Sequence, residues 1–304
     1  MATYLVTGGA GFIGTNLVKA LLEAGNTVKV FDNYAGGKKA DRILPGAEYI
    51  TGDIRDLAAL KVACAGVEGI FHLAALPRVI FSVENPIETH DVNVNGTLNV
   101  LIAARDTGVK RVVFATSSAA YGIQPPGAFK EDGVLKKPLS PYALHKLIGE
   151  EYCRIFSELY GLETVALCYF NVYGPYFDPE GAYALVIGRF IKLRQEGKPL
   201  TVRGDGEMYR DYTHVSDVVK ANIAAMTKDT VGKGEVINVG NGDPHSVNEL
   251  AKLIGGETVF VPALAGEMPY THADNSKAER LLGWKPTIKL VEGVARLKKD
   301  AGLV

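Results

Sequence analysis

Tyr142 and Lys146 stand four residues apart in a stretch, Tyr142–Tyr160, whose apolar spacing predicts a helix, so the two side chains share one face. An ammonium beside a phenol draws its pKa down from the usual ~10, and a tyrosine so tuned can act as a proton-transferring base. The pair alone is weak evidence, because a solvated lysine beside a half-buried tyrosine gives the same spacing. Thr116-Ser117-Ser118 strengthens it. These hydroxyls follow the apolar run Arg111–Ala115, and open parallel sheets bind ligands at the ends of such strands. There one of these hydroxyls can hold the substrate oxygen that Tyr142 deprotonates.

A second constellation suits an anion. The run Tyr4–Val6 leads into Thr7-Gly8-Gly9-Ala10-Gly11-Phe12-Ile13-Gly14, and a helical pattern follows at once. Glycines at 8, 11 and 14 let the turn tighten, the backbone approach a pyrophosphate and the helix pack against the sheet, while the helix start offers free N–H groups. Asp32 ends the next strand, 18 positions after Gly14. A carboxylate there accepts hydrogen bonds from an adenosine ribose and repels a 2′-phosphate, which favours NAD over NADP. Asp53, after the strand Glu48–Thr51, fits either the adenine or an ordinary turn. His72, in Phe71-His72-Leu73-Ala74-Ala75, reads better as a hydrogen-bonded core histidine than as a catalytic one.

The elements that must carry these residues alternate in type. Short β-branched runs at Tyr4–Val6, Val28–Phe31, Gly69–His72, Arg111–Ala115 and Thr164–Tyr169 interleave with helical patterns at Ile13–Ala24, Val94–Thr107 and Tyr142–Tyr160. This predicts an α/β fold, a doubly wound parallel sheet of the dinucleotide-binding (Rossmann) type. After Asn171 the sequence turns loop-rich, with shorter helical patterns at 185–196, 216–228, 247–254 and 275–282. The expected division is a cofactor domain over 1–168 and a smaller α/β substrate domain over 169–304, with a strand near 236–239 able to return to the first sheet.

Composition sets the outer bounds. The 304 residues carry 33 basic and 34 acidic side chains, a net charge of −1, which disfavours a nucleic-acid partner. With 47% apolar residues the chain can bury a sizeable core. Cys64, Cys153 and Cys168 are too few and scattered for a disulfide framework or a metal site, and read as small buried hydrophobes. No apolar run approaches the ~20 residues of a membrane span and no signal-peptide pattern opens the chain, so a soluble, cytoplasmic protein is expected.

Together these motifs resemble the extended short-chain dehydrogenase/reductase family, specifically its nucleotide-sugar 4-epimerases of the UDP-glucose/UDP-galactose type. Further carriers are Gly52-Asp53-Ile54-Arg55, Asn93-Val94-Asn95-Gly96-Thr97, Phe170-Asn171-Val172-Tyr173-Gly174-Pro175, Arg210-Asp211-Tyr212 and Ala273-Asp274-Asn275-Ser276-Lys277-Ala278. The resemblance covers nearly the whole chain. It implies that Ser117 binds the sugar 4-hydroxyl, Tyr142 removes its proton and Lys146 also holds the nicotinamide ribose. Hydride would pass from C4 to NAD and return to the opposite face of a 4-keto sugar. Cofactor contacts are implied for Gly8, Gly11, Phe12, Ile13, Gly14, Asp32, Asn33, Asp53, Ile54, Leu73, Ala74, Ala75, Tyr142, Lys146 and Phe170. For the UDP-sugar, the implied residues are Asn171 and Arg210 at the diphosphate, Thr201, Val202 and Arg203 near the base, and Thr271 at the sugar. Arg210 is also placed to pair with Asp211. The family suggests a homodimer built on the helices around Val94–Thr107 and Tyr142–Tyr160.

Departures narrow the reaction. Related 4,6-dehydratases carry an Asp-Glu pair, and UDP-glucuronate decarboxylases a glutamate, where this chain has Ser118 and Ala119, so epimerisation is favoured. Leu264 stands where relatives have a second diphosphate arginine, with Arg78 and Arg189 as substitutes by composition. The segment Asp178–Ala184 resembles a loop of epimerases that accept N-acetylated sugars. Thr271 is small at a gate that is tyrosine in some restricted relatives, which implies room for an acetamido group. Two other readings stay open: a 4-epimerase of UDP-glucuronate or another nucleotide sugar, and an NAD-binding module without catalysis.

Overall fold

The computed structural model describes residues 1–125, 127–177, 186–263 and 268–303. Its centre is a seven-stranded parallel sheet. Strands β1 (Thr3–Thr7), β2 (Thr27–Asp32), β3 (Ala47–Thr51), β4 (Gly69–His72), β5 (Arg111–Ser117) and β6 (Glu163–Tyr169) lie in the order β6-β5-β4-β1-β2-β3, and Lys233–Val239 pairs with the outer edge of β6. The strand order reverses between β1 and β4, where doubly wound folds open a ligand crevice.

Successive residues of each strand face opposite ways, and both faces are apolar. Val6, Val28, Val30, Phe71, Val113 and Leu167 pack on one side against α1 (Phe12–Glu23) and the helix Val215–Thr227. Leu5, Phe31, Ile70, Val112 and Phe114 pack on the other against α2 (Leu57–Ala63), α5 (Gly96–Thr107) and α6 (Pro141–Tyr160). Each fully buried Val, Leu, Ile or Phe contributes about 1.5–3 kcal/mol. A separate core gathers Phe190, Leu200, Val202, Tyr212, Leu250 and Val294 from the later elements.

Helix α6 has a clear start and stop. Ser140 accepts a hydrogen bond from the Ala143 amide at 3.2 Å, Pro141 opens the first turn, and Gly161 at φ +67° ends it. The predicted helix at 94–107 begins differently. Two short helices, α3 (Val79–Glu84) and α4 (Pro86–His90), precede it, and a wide π turn over Asp91–Asn95 joins α4 to α5. The Asn93 side chain in that turn accepts from the Leu76 amide and donates to its carbonyl, so the turn is anchored to the loop after β4.

Arg111 ties the last elements of the sheet together. Its buried guanidinium donates to the carbonyls of Ala225, Met226, Lys228 and Val231 and pairs with Glu163 at 2.6 Å. It thereby satisfies carbonyls that the end of Val215–Thr227 leaves open. No helix among the described residues is long and apolar enough to cross a membrane.

Candidate active site

The glycine loop closes on itself and on β4. Gly8, at φ +70°, donates to the Phe31 carbonyl and accepts from the Gly11 amide. A Cβ at Gly14 would lie 2.2 Å from the Gly8 carbonyl oxygen, and one at Gly8 would lie 2.7 Å from the Ala74 nitrogen, so neither position admits a side chain. Gly11 precedes α1 without any side-chain cap, which leaves amides at the helix start for an anion. Phe12 and Ile13 are half-buried against the core, and Leu73, Ala74 and Ala75 line the approach from β4.

Asp32 closes the other side. Its carboxylate accepts from the amides of Ala10 (3.0 Å) and Tyr34 (2.8 Å), while burial pushes its pKa up against those two bonds. Asn33 donates to Asp53 at 3.0 Å, and Arg55 pairs with the same carboxylate at 2.8 Å, which holds Asp53 down at about 2. Ile54 beside it is buried against Gly96. A glycine cradle followed by an uncapped helix start and a carboxylate at the tip of β2 fits a dinucleotide.

The residues expected to transfer the proton lie on β5 and α6, which pack together. Lys146 is 5% exposed, donates to the Ala115 carbonyl at 2.8 Å and lies 6.0 Å from the centre of the Tyr142 ring. Burial lowers its pKa to about 8, with Cys153 and Glu150 opposing. Tyr142 is largely buried, and its amide donates to Ser82 Oγ of α3 at 3.1 Å. Ser117 Oγ accepts from the Ala119 amide at 3.2 Å, so the strand end curls into a short turn over Ser118–Tyr121. His72 belongs to the framework: it bonds Thr7 at 2.7 Å and Thr97 at 2.9 Å, and burial drops its pKa to about 3. Thr97 spends its own proton on the Asn93 carbonyl, so His72 donates through Nε2 and accepts at Nδ1.

The residues expected at the nucleotide sugar differ in how open they are. Asn171, at φ +32°, donates to the Asp211 carbonyl and to Thr271 Oγ1, both at 3.1 Å. Thr271 is 2% exposed and its hydroxyl also accepts from the Asp211 amide, so it is a wall rather than a free group. Asp211 receives the amides of Asn241, Gly242 and Ala273, while Arg210 donates to the Tyr209 carbonyl at 3.0 Å. On Leu200–Arg203 the side chains of Thr201 and Arg203 face outward, but Val202 is fully buried and offers only its main chain. Phe170 is likewise fully buried, packed on Tyr121 and Phe129. Arg78 and Arg189 are exposed. Leu264 and the segment 178–184 lie outside the described residues.

Three positioning residues had no sequence signal. Ser82 fixes the start of α6. Asn16 donates to the Pro175 carbonyl at 2.9 Å, and buried Arg42 donates to the Tyr176 carbonyl, joining the cofactor loops to the chain after β6.

Residues 4–240 match the NAD dependent epimerase/dehydratase family. The chain belongs to that family. This membership makes NAD its cofactor, in keeping with the glycine cradle and Asp32. The UDP-glucose 4-epimerase of Mycolicibacterium smegmatis is 37% identical over 306 residues, covering 96% of each chain. Among solved structures, the UDP-glucose 4-epimerase of Thermotoga maritima with UDP-glucose superposes with a TM-score of 0.92 at 36% identity, covering 98% of this chain and 99% of that one. The UDP-glucuronic acid 4-epimerase of Bacillus cereus, with UDP-glucuronic acid and NAD, gives 0.89 at 31% identity and 99% of each chain.

Proposed function

We propose that this epimerase/dehydratase-family protein is a 4-epimerase of UDP-hexoses, acting on UDP-glucose and UDP-galactose through a transient 4-keto sugar. The observation that carries this reading is the buried Lys146 beside Tyr142, bonded to the carbonyl of Ala115, two residues before Ser117 at the end of β5. NAD, when bound, supplies reversible two-electron oxidation at C4 of the sugar. Tyr142 takes the proton of the 4-hydroxyl and later returns it. Ser117 holds that oxygen, and the Lys146 ammonium favours the phenolate. Ser118 and Ala119 supply no carboxylate to expel a hydroxyl or assist loss of carbon dioxide, which supports epimerisation over those reactions.

In this reading residues 1–168 serve the cofactor and 169–304 mainly the nucleotide sugar, with Asn171 and Arg210 at the diphosphate and Thr201 and Arg203 near the base. Thr271, small and walled in, leaves room for an N-acetyl group. The similarity to a UDP-glucuronic acid 4-epimerase supports UDP-glucuronate as a second candidate substrate. A homodimer built on α5 and α6 is part of the proposal, since Leu144, Leu159 and Tyr160 of α6 are exposed.

Incubating the NAD-loaded protein with UDP-glucose, UDP-galactose, the N-acetylated pair and UDP-glucuronate, followed by NMR of the sugar protons, tests substrate and reaction together. Interconverting glucose and galactose signals are expected. Turnover of UDP-glucuronate alone would move the assignment to the second candidate, and turnover of nothing in the panel would refute it. Conversion of the unacetylated pair alone would remove the room assigned to Thr271.

A further inference from the structure

Behind the proposed catalytic residues lies a second polar tie between β5 and α6. Glu150 is 3% exposed and spends both oxygens: one accepts from Thr116 Oγ1 at 2.7 Å, the other pairs with the Lys136 ammonium. Lys136 comes from the loop before α6, is itself largely buried and rests over the Tyr121 ring, 4.9 Å from its centre. Lys146 and Glu150 are one helical turn apart on the same face, and they bond consecutive residues of β5, the Ala115 carbonyl and the Thr116 hydroxyl. Two bonds one turn apart fix both the height and the rotation of a helix on a strand; one bond fixes neither fully.

We propose that Lys136, Glu150 and Thr116 are positioning residues, a buried ion-pair relay that sets the register of Tyr142 and Lys146 on α6 against Ser117 at the end of β5. This rests on the reading of Ser117, Tyr142 and Lys146 as the catalytic set. A buried ion pair adds little net stability against well-packed apolar replacements, so its use here is geometric and electrostatic. Groups facing Lys146 are Glu150, Cys153, His145 and Tyr142 of α6 and His72 of β4. Groups facing Glu150 are Lys136, Lys146, Cys153, Cys168 of β6 and Tyr121. Within this set the Glu150 carboxylate favours the charged form of Lys146, and the Lys136 ammonium, paired with that carboxylate, offsets part of its pull.

The test compares wild type, Glu150→Gln, Lys136→Met, Thr116→Val and the double variant Lys136→Met/Glu150→Leu, in NAD-loaded protein with UDP-galactose as substrate. Each single variant should lose about 10- to 100-fold in kcat with KM little changed, the scale of loss that small misplacements cause. The alkaline limb of the pH–rate profile should move to lower pH in Glu150→Gln and to higher pH in Lys136→Met. Opposite shifts are something a general folding defect does not produce. In the double variant the melting temperature should recover while kcat does not. Unmoved limbs, or kcat recovering together with melting temperature, would overturn the proposal. Tyr142→Phe is measured alongside: if it is inactive while the relay variants behave as wild type, the relay alone fails; if it turns over normally, the catalytic reading fails first.

Discussion

The Lys146 ammonium donates to the main-chain carbonyl of Ala115 at 2.8 Å from a site almost closed to solvent. Burial holds its pKa at about 8, so it carries its charge at pH 7 and loses it a little above. In the proposed mechanism, replacing it with methionine removes the cation that favours the Tyr142 phenolate. Lys146→Met should lower kcat by about 10²–10⁴-fold, and the acid limb of the pH–rate profile should move to higher pH, toward the ~10 of an unassisted phenol. Stopped-time assays from pH 6 to 10 would show it; an acid limb that stays in place would separate Lys146 from Tyr142.

Gly14→Ala should empty the cofactor site. The added methyl meets the Gly8 carbonyl oxygen, a backbone atom that cannot swing aside, so the loop must open. NAD released on denaturing the purified variant should fall well below one per chain. Retention at the wild-type level would show that the loop relaxes without losing its shape.

Asp32 should decide between dinucleotides. Its carboxylate stands at the tip of β2, held by the Ala10 and Tyr34 amides, where a ribose 2′-phosphate would meet negative charge. Wild type should bind NAD and reject NADP by at least tenfold in titration calorimetry, and Asp32→Ser should narrow that gap. Equal binding of the two by wild type would contradict the assignment.

His72 should make the fold acid-sensitive. Its folded pKa, about 3, lies below the ~6.5 of an exposed histidine, so the unfolded chain binds more protons between these values. Stability is therefore whole above pH 6.5 and declines as pH falls toward 3. Between pH 7 and pH 4.5 His72 should account for about 2–3 kcal/mol of the loss in urea unfolding. His72→Gln, which keeps a donor and an acceptor, should shrink that pH-dependent part; an unchanged difference would point to other groups.

Much of the fold was readable because it follows local rules. The strand, glycine loop and helix at 3–23 appear in sequence order, and Tyr142 and Lys146 needed only the period of a helix. The strands Leu200–Arg203 and Thr258–Val261 were missed: each is four residues long and pairs only with the other, so nothing flanking them repeats. The terminal helix Leu290–Asp300 and the short helices α2, α3 and α4 were missed too. The supports of the site escaped for a different reason. Ser82 meets Tyr142 across 60 residues, Arg42 meets Tyr176 across 134 and Asn16 meets Pro175 across 159, and no spacing rule reaches that far.

The strand Lys233–Val239 has a consequence for how the protein is made. On a ribosome, β6 is complete at residue 169, yet the strand that covers its open edge emerges only after more than sixty further residues. Arg111, on β5, waits longer still, 114 to 120 residues, for the carbonyls it caps. The nascent cofactor half thus carries a bare parallel edge until much of the rest has been synthesised. A gene cut after codon 168 should give an aggregating product rather than a small NAD-binding protein, however natural that boundary looks in the sequence.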